Sequence, residues 1–243
     1  MEKAHIAAAF RFELSKVTVP AIRQRTVSML RNASLELAQE VAAGLGMEIM
    51  PDAMPLALAN PAQPEVTVSP LLSLMARPGD GTIEARKIAL LIAPGVMGES
   101  IVQVQAALLA EGAVPRLVAP RIGAVRTVEG KILQADASLE NEPGFLFDAL
   151  VLPDGQMAVE ALARDGHTME FTKDQYRHCK TILVLGASAA LLGKAGVPAT
   201  LAGGKADTGL IIVPSGSMGG AAAFIKGIAM HRPVARETDP PAV

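Results

Sequence analysis

Four stretches of this sequence are the places where acids, bases or nucleophiles would act in an α/β protein. Each follows a short apolar run, and together they cover residues 94–100, 153–157, 185–190 and 214–219. Ligands of open parallel sheets bind beyond the carboxyl ends of the strands, so catalytic side chains are expected in these turns. Few titratable residues occur in them, so a catalytic group is hard to assign.

The first turn offers two candidates, Glu99 and Ser100. Glu99 is a possible acid or base, and Ser100 is a possible helix cap. Acidic and hydroxyl residues are favoured in the first turn of a helix whether or not chemistry takes place there. We therefore interpret both residues as parts of a helix start.

The third turn has the strand–turn–helix outline of a nucleophile elbow. Leu185, Gly186 and Ala187 stand where that motif requires a reactive Cys or Ser. Ser188 is the hydroxyl close by, and a serine nucleophile needs a base within hydrogen-bond reach, usually histidine. The four histidines, at positions 5, 167, 178 and 231, lie in predicted helices, loops or the tail. We expect Ser188 to be an N-cap or helix residue.

Cys179 is the only cysteine, which excludes an internal disulfide and a thiolate metal cluster. Basic residues precede it, namely Lys173, Arg177 and His178, and such neighbours can lower a thiol pKa. Its place before a predicted strand, however, is the wrong edge of the sheet for catalysis. No CxxC or HxxxH spacing for zinc is present. We predict a structural thiol and no metal site.

The remaining turn residues have an ordinary structural explanation. The Pro-Asp-Gly turn at 153–155 is needed to enter the next helix, and the glycine pairs at 203–204 and 219–220 fit turns. None of them matches G-x-G-x-x-G or a Walker loop. The sequence therefore predicts no catalytic, cofactor-binding or metal-binding residue.

The charge and composition of the chain indicate which kinds of partner it can bind. The net charge is −2, from 22 basic and 24 acidic residues spread along the chain, which gives no footprint for nucleic acid or an anionic membrane. One mild basic stretch, expected to be a solvated hairpin, could touch an acidic partner; it consists of Arg121, Arg126 and Lys131. A single cysteine, no secretory signal and no apolar run of about 18 residues favour a cytoplasmic protein.

Residues 1–46 read as helical. Apolar residues recur at spacings of three and four in 21–30 and 34–45, with Ser34 as the expected N-cap. A further helix at 4–16, separated by Pro20, has partners that could lie outside this chain.

Residues 47–86 carry six prolines between 51 and 78, which predicts an extended arm. Its apolar residues are too many for a solvated linker, so we expect it to lie against a protein surface. These residues are Met50, Met54, Leu56, Leu58, Leu71, Leu72, Leu74 and Met75.

Residues 87–232 alternate strands with helices. Strands are predicted at 87–93, 114–119, 148–152, 181–186 and 209–213, and helices at 98–111, 156–163, 172–178, 187–193 and 218–230. This pattern, with apolar runs typical of strands buried on both faces, predicts a doubly wound parallel sheet in a three-layer α/β fold. Pro233 and the prolines at 240–241 predict a flexible tail at 233–243.

Four stretches resemble a known family. Residues 12–23 (FELSKVTVPAIR) and 37–45 (LAQEVAAGL) resemble the helical segment that ends the haem-bearing core of large-subunit haem catalases. The arm, with VTVSPLLSLMARPGDG at 66–81, is similar to their interdomain connection, and residues 87–232 are similar to their carboxyl-terminal domain. That domain is flavodoxin-like and related to class I glutamine amidotransferases and the PfpI superfamily.

The resemblance implies a module without the chemistry of its parent. In such catalases a tyrosinate, a distal His and an Asn hold and flank the haem, all upstream of the matching segment, so the resemblance implies haem for the parent and no cofactor for this chain. The only tyrosine, Tyr176, lies in the terminal domain. The superfamily comparison puts Ser100 near the usual acidic residue and Leu185 or Gly186 at the nucleophile position. Both catalytic positions are vacant.

We therefore expect a non-catalytic module in a hydrogen peroxide detoxification context that stabilises an oligomer, through self-association or a catalase core, with a chaperone-like action as a possible addition. Two enzyme alternatives stay open. One is a PfpI-like hydrolase or deglycase that uses Glu99, Ser188 or Cys179. The other is catalase activity of a longer natural chain.

Overall fold

The computed structural model describes residues 2–56, 65–73, 81–215 and 220–238. The chain divides into two compact units, residues 1–76 and residues 77–243. Each unit has its own buried hydrophobic cluster.

The described part of the first unit contains three α-helices, α1 (Glu2–Ser15), α2 (Pro20–Ala33) and α3 (Leu35–Gly44). Pro20 occupies the first turn of α2, where its missing N–H leaves no hydrogen bond unmade. Ser34 caps α3, and its hydroxyl oxygen accepts a hydrogen bond from the Leu37 N–H at 3.3 Å. The predicted N-cap is confirmed.

A small apolar cluster holds these helices together. It consists of Ala7, Leu14, Val27, Leu30, Ala38, Val41 and Ala42. Helix α1 therefore has partners within the chain, which the sequence analysis did not anticipate. The opposite side of α1 stays open, because Ile6 is 48% exposed and Phe12 is 62% exposed.

The start of the arm lies along α2. The Ser28 hydroxyl donates to the Asp52 carbonyl at 2.5 Å, and the Asn32 amide donates to the Met54 carbonyl at 2.7 Å. Further along, Leu72 lies in a short 3-10 turn and is 86% exposed. We expected the arm to lie against a protein surface. Among the described residues this holds around positions 50–54, but it does not hold for the exposed turn that contains Leu72. Three of the apolar residues, Leu58, Leu74 and Met75, lie outside the described residues.

The second unit is built on a parallel sheet with an antiparallel hairpin beside it. Its strands are β1 (Lys87–Leu91), β2 (Val114–Ala119), β3 (Gly123–Arg126), β4 (Ile132–Ala135), β5 (Ala137–Ser138), β6 (Ala149–Leu152), β7 (Thr181–Leu185) and β8 (Leu210–Val213). The parallel sheet has the order β5-β2-β1-β6-β7-β8, and β3 pairs with β4. The strand order reverses between β1 and β6, which is where such sheets open a ligand crevice.

Helices cover both faces of this sheet. They are α4 (Gly98–Ala110), α5 (Gln156–Ala163), α6 (Gly166–Arg177), α7 (Ala189–Lys194) and α8 (Ala221–Ala229). Helix α4 contacts α8, whereas α5 contacts α6 and α7, so the helices form two separate layers. Residues of the central strands are fully buried between them, as Leu90 and Val151 illustrate. The flavodoxin-like three-layer α/β fold predicted from the sequence is confirmed.

The hairpin β3–β4 lies against the turn after β1. The Gly95 N–H donates to the Arg126 carbonyl at 2.9 Å, and the Val128 N–H donates to the Val96 carbonyl at 3.0 Å. The predicted basic hairpin is therefore present, and its three basic side chains, those of Arg121, Arg126 and Lys131, are exposed.

The predicted flexible tail at 233–243 needs a correction. Residues Ala235–Thr238 form a helical turn, α9, and Arg236 within it is only 4% exposed. Pro233 ordinarily ends regular structure, and local pattern does not reveal that Arg236 has a buried acidic partner, Asp207, 29 residues earlier in the chain. Residues 239–243 lie outside the described residues.

No helix within the described ranges is long and apolar enough to cross a lipid bilayer.

Candidate functional site

The turns that follow β1, β6 and β7 meet at the carboxyl edge of the sheet. Asp154, in the turn after β6, lies at their centre and is only 4% exposed. Its carbonyl accepts a hydrogen bond from the Met97 N–H of the β1 turn at 3.0 Å. The turns are therefore tied together through this residue.

Among the described residues, the donors to the Asp154 carboxylate include Gly155, Ala187 and Ser215. Its Oδ1 atom accepts from the N–H of Gly155 at 2.7 Å and from the N–H of Ala187 at 3.1 Å. Its Oδ2 atom accepts from the Ser215 hydroxyl at 2.7 Å. Hydrogen bonds to a charged acceptor are stronger than neutral ones, so the carboxylate is firmly held.

This carboxylate occupies the space in front of Gly186, which is one of the two positions, with Leu185, expected for the nucleophile of the elbow. A Cβ atom added to Gly186 would lie 2.2–2.3 Å from the carboxyl carbon and both carboxyl oxygens of Asp154. Gly186 also has a φ of +51°, a backbone conformation that is strained for residues with a side chain. A cysteine or serine nucleophile at this position would thus need Asp154 to move away.

Ser188, the nearby hydroxyl candidate, is fully buried in the turn that precedes α7. Its hydroxyl donates to the Pro153 carbonyl oxygen rather than to a histidine. It occupies the N-cap position of α7 but makes no side-chain capping bond there. Ser188 therefore joins two turns of the edge, and its proton points at a carbonyl that cannot act as a base.

The start of α4 is capped from outside the helix. Glu129, in the hairpin, accepts hydrogen bonds from the N–H of Gly98 at 3.1 Å and the N–H of Glu99 at 3.5 Å. The Ser100 hydroxyl instead donates to the Met97 carbonyl at 2.8 Å. Glu99 and Ser100 therefore lie in the first turn of α4, as expected. The possible cap at Ser100 is wrong, because Met97 is the N-cap residue and the carboxylate that meets the free N–H groups comes from Glu129.

The capping role of Glu129 was not predicted from the sequence, because Glu129 lies about 30 residues away from the start of the helix that it caps. A side-chain hydrogen bond from Thr127, together with the N–H groups of Gly98 and Glu99, lowers the pKa of the Glu129 carboxyl. The charged form is therefore favoured where the helix dipole is positive. This helix start, which in other proteins of this topology can bind an anion, is filled by the chain's own carboxylate.

Cys179 lies at the other edge of the sheet, just before β7. It follows α6 with a φ of +53° and is 4% exposed. Burial raises the pKa of its thiol, so the reactive thiolate is disfavoured despite the basic residues nearby. The predicted position at the amino edge is confirmed.

A cleft of about 360 Å³ also lies at this amino edge. Thr181, Gly209, Lys226 and Arg232 are among the residues that line it. It lies at the amino ends of β7 and β8, away from the edge where this fold binds ligands. Among the described residues no group of three or more His, Cys, Asp or Glu side chains is arranged to hold a metal ion.

Comparison with known proteins finds a family match in each unit. Residues 84–238 match the family described as the C-terminal domain found in long catalases. Residues 1–45 match the family described as catalase-related immune-responsive. The first match includes α9, in agreement with the folded end of the second unit.

Curated relatives give the same result over the whole length. A catalase HPII of Pseudomonas putida is 35% identical over 246 residues, covering 100% of this chain and 32% of the relative. A catalase C of Rhizobium meliloti is 36% identical over 236 residues, covering 97% of this chain and 32% of the relative. The chain thus spans about a third of the length of these relatives.

Two solved structures are more distantly similar. A mutant of a DJ-1 superfamily protein from Salmonella typhimurium has 27% identity and a TM-score of 0.44, over 46% of this chain and 62% of the other. A two-domain protein from Anabaena variabilis, with DJ-1/ThiJ/PfpI-like and ferritin-like domains, has 22% identity and the same TM-score, over 46% of this chain and 32% of the other. The family assignment rests on the sequence match over residues 84–238, by which the chain belongs to the C-terminal domains found in long catalases.

Proposed function

We propose that this chain is a non-catalytic module of a long catalase and that it stabilises the assembled oligomer. The observation that carries the non-catalytic part is the position of Asp154. Its carboxylate fills the space in front of Gly186, one of the two expected positions of a nucleophile, the other being Leu185. The carboxyl edge of the sheet is used for internal hydrogen bonds instead of for binding a substrate.

The residues present do not fit a haem site. A tyrosinate ligand needs a phenol that loses its proton readily and reaches the iron. Tyr176 is only 2% exposed, and burial, reinforced by the negative charge of Asp207, raises its pKa to about 12. Arg236 also covers its ring at 4.2 Å. Haem chemistry is therefore assigned to the remainder of a long catalase and not to Tyr176.

Exposed apolar side chains of the helical unit support the assembly role. Single exposed apolar residues are common, but a small helical unit with many of them is typical of a surface that binds another protein. The most exposed ones on or beside the helices are Ile6, Phe12, Val19, Met29, Leu35 and Ile49, at 48–84% exposure. The proposed partner is a catalase core or a second copy of this chain. A chaperone-like action would use the same surface.

The test is association of the full chain with a catalase core that lacks its own C-terminal domain. Light scattering and analytical ultracentrifugation should show a complex or a self-associated chain. Met29→Glu should weaken association, because Met29 is 50% exposed and apolar. Gln24→Glu, an exposed polar residue of the same helix, adds the same charge and should have little effect.

Two results would contradict the proposal. The first is a strict monomer with no affinity for the core, which would remove the assembly role. The second is a Soret band with release of oxygen from peroxide, or a hydrolase activity that is lost on alkylation of Cys179, which would remove the non-catalytic role. Suppression of aggregation of an unfolded client protein would separately test the chaperone-like action.

A further inference from the structure

We propose that Asp154 is an intramolecular ligand that closes a binding site for small carboxylates at the carboxyl edge of the sheet. In the described part of the chain the site is a cradle that includes three donors, the N–H groups of Gly155 and Ala187 and the hydroxyl of Ser215. The inference rests on the non-catalytic role proposed above, because it concerns the same edge, and it adds the class of ligand that this edge would accept.

The donors come from three different turns and converge on one group. Gly155 follows β6, Ala187 follows β7 and Ser215 follows β8. Their distances to the two carboxylate oxygens are 2.7, 3.1 and 2.7 Å, all within the ordinary range of hydrogen bonds. Convergent backbone N–H groups at the end of a parallel sheet form an anion-binding concavity.

The size of the cradle is set by Gly186. The missing side chain of this residue leaves room for a carboxyl group, and a Cβ atom there would contact all three atoms of that group at 2.2–2.3 Å. Asp154→Ala would remove the carboxyl group and leave its volume beside the three donors. Formate consists of the same CO₂⁻ group, so formate is the matching probe.

The cradle can be reached from solvent. Ser215 is exposed, and Gly186 and Ala187 are half-buried, whereas Asp154 itself is buried beneath them. In the native chain the carboxylate is attached to the backbone next to its donors, so its effective concentration is far above that of a dissolved carboxylate. The native protein therefore keeps small carboxylates out of this edge.

The test compares wild-type chain, Asp154→Ala and Asp154→Asn in sodium formate and in sodium chloride of the same ionic strength. Formate should raise the unfolding temperature of Asp154→Ala in a saturable manner and beyond the effect of chloride. Asp154→Asn retains a group of the same shape in the cradle, so it should show no formate-specific shift, and neither should the wild-type chain.

An equal response of all three proteins to formate, or no formate-specific response of Asp154→Ala, would overturn the inference. If Asp154→Ala does not fold in chloride, its refolding in formate becomes the readout, and failure of formate to restore the folded signal would equally overturn it. The formate experiments do not measure the association of the wild-type chain with a catalase core. Failure of this inference can therefore be distinguished from failure of the proposed function.

Discussion

The carboxylate of Asp207 and the guanidinium of Arg236 form an ion pair with an Nε–Oδ2 distance of 2.7 Å, and the two side chains are 1% and 2% exposed. Arg236 also donates to the Lys180 carbonyl at 2.7 Å and covers the Tyr176 ring at 4.2 Å. Asp207 accepts a second bond from the Gly209 N–H at 2.8 Å. This pair fixes the end of the chain to the amino edge of the sheet beside β7 and β8.

Arg236→Met should destabilise the second unit strongly. The substitution keeps much of the side-chain volume but leaves the Asp207 carboxylate buried without its cation, which costs about 3–5 kcal/mol of unfolding free energy. Urea denaturation followed by far-ultraviolet circular dichroism measures this difference. Arg232→Gln is the matched control, because the Arg232–Glu237 pair is 3.8 Å long with side chains 44% and 21% exposed, and its loss should cost at most about 1 kcal/mol. Equal effects of the two substitutions would contradict the assigned role of Arg236.

Tyr176 should ionise well above the usual range for a tyrosine. Burial, followed by the charge of Asp207, raises its pKa to about 12 in the folded chain, against about 10 in an unfolded chain. The neutral phenol therefore stabilises the fold below about pH 10, and this contribution is lost as the pH rises towards 12. Because the chain has one tyrosine and no tryptophan, the ultraviolet absorbance of tyrosinate reports this residue alone. A reversible transition near pH 10 without unfolding would show that Tyr176 is not buried as described.

Gly186→Ala should destabilise the second unit through two causes. An L-residue at a φ of +51° costs about 1–3 kcal/mol, and the new methyl group would in addition meet the Asp154 carboxylate at 2.2–2.3 Å. Gly193→Ala is the control, because Gly193 lies in α7 with no atom within 4 Å of its added Cβ. That exchange should stabilise the helix by about 0.5–1 kcal/mol. Thermal melts of the two variants should therefore shift in opposite directions, and equal melting temperatures would argue against the blocked elbow.

Glu129→Gln should reduce stability at neutral pH and lose this effect in acid. The pKa of Glu129 is lowered in the folded chain by the Thr127 hydrogen bond and the N–H groups of Gly98 and Glu99. A lowered folded-state pKa means that the contribution is present above the unfolded value of about 4.3 and is lost as the pH falls through the folded value. Melting temperatures of wild type and variant should thus converge at low pH.

The control for this pH series is Glu140→Gln. Glu140 is an exposed carboxylate of the same unit, so its substitution should leave the melting temperature close to that of wild type across the series. If both substitutions shift the melting temperature to the same extent at neutral pH, the helix-capping role of Glu129 is wrong.

The sheet was predictable because its strands are short apolar runs that nothing but a buried environment explains. The run at 87–93 contains β1, which is buried from residue 88 onward, and the run at 181–186 contains β7, which is buried along its length. The capping of α3 by Ser34 was predictable for a related reason, since donor and acceptor are three residues apart. Such predictions are possible because they depend only on the pattern of apolar residues and on hydrogen bonds between residues close in sequence.

The three carboxylates that define the second unit could not be predicted from local pattern. Glu129 caps a helix about 30 residues away, Asp207 binds Arg236 29 residues away, and Asp154 binds Ala187 33 residues away and Ser215 61 residues away. In the sequence each is an acidic residue beside a turn, which ordinarily means exposure to solvent. The burial of Asp154 and Asp207, and the partners of all three carboxylates, depend on the fold that brings distant parts of the chain together.

The sequence by itself determined the α/β architecture, the helical first unit and the absence of a reactive residue at the elbow. These follow from hydrophobic periodicity, from the positions of proline and glycine and from residue identity, all of which are local properties of the sequence. Only the tertiary structure decided that the elbow is filled by Asp154, that α4 is capped by Glu129 and that the end of the chain is anchored by Arg236. A charged group in a buried place is stable only beside the right partners, and those partners are brought together by packing rather than by sequence spacing.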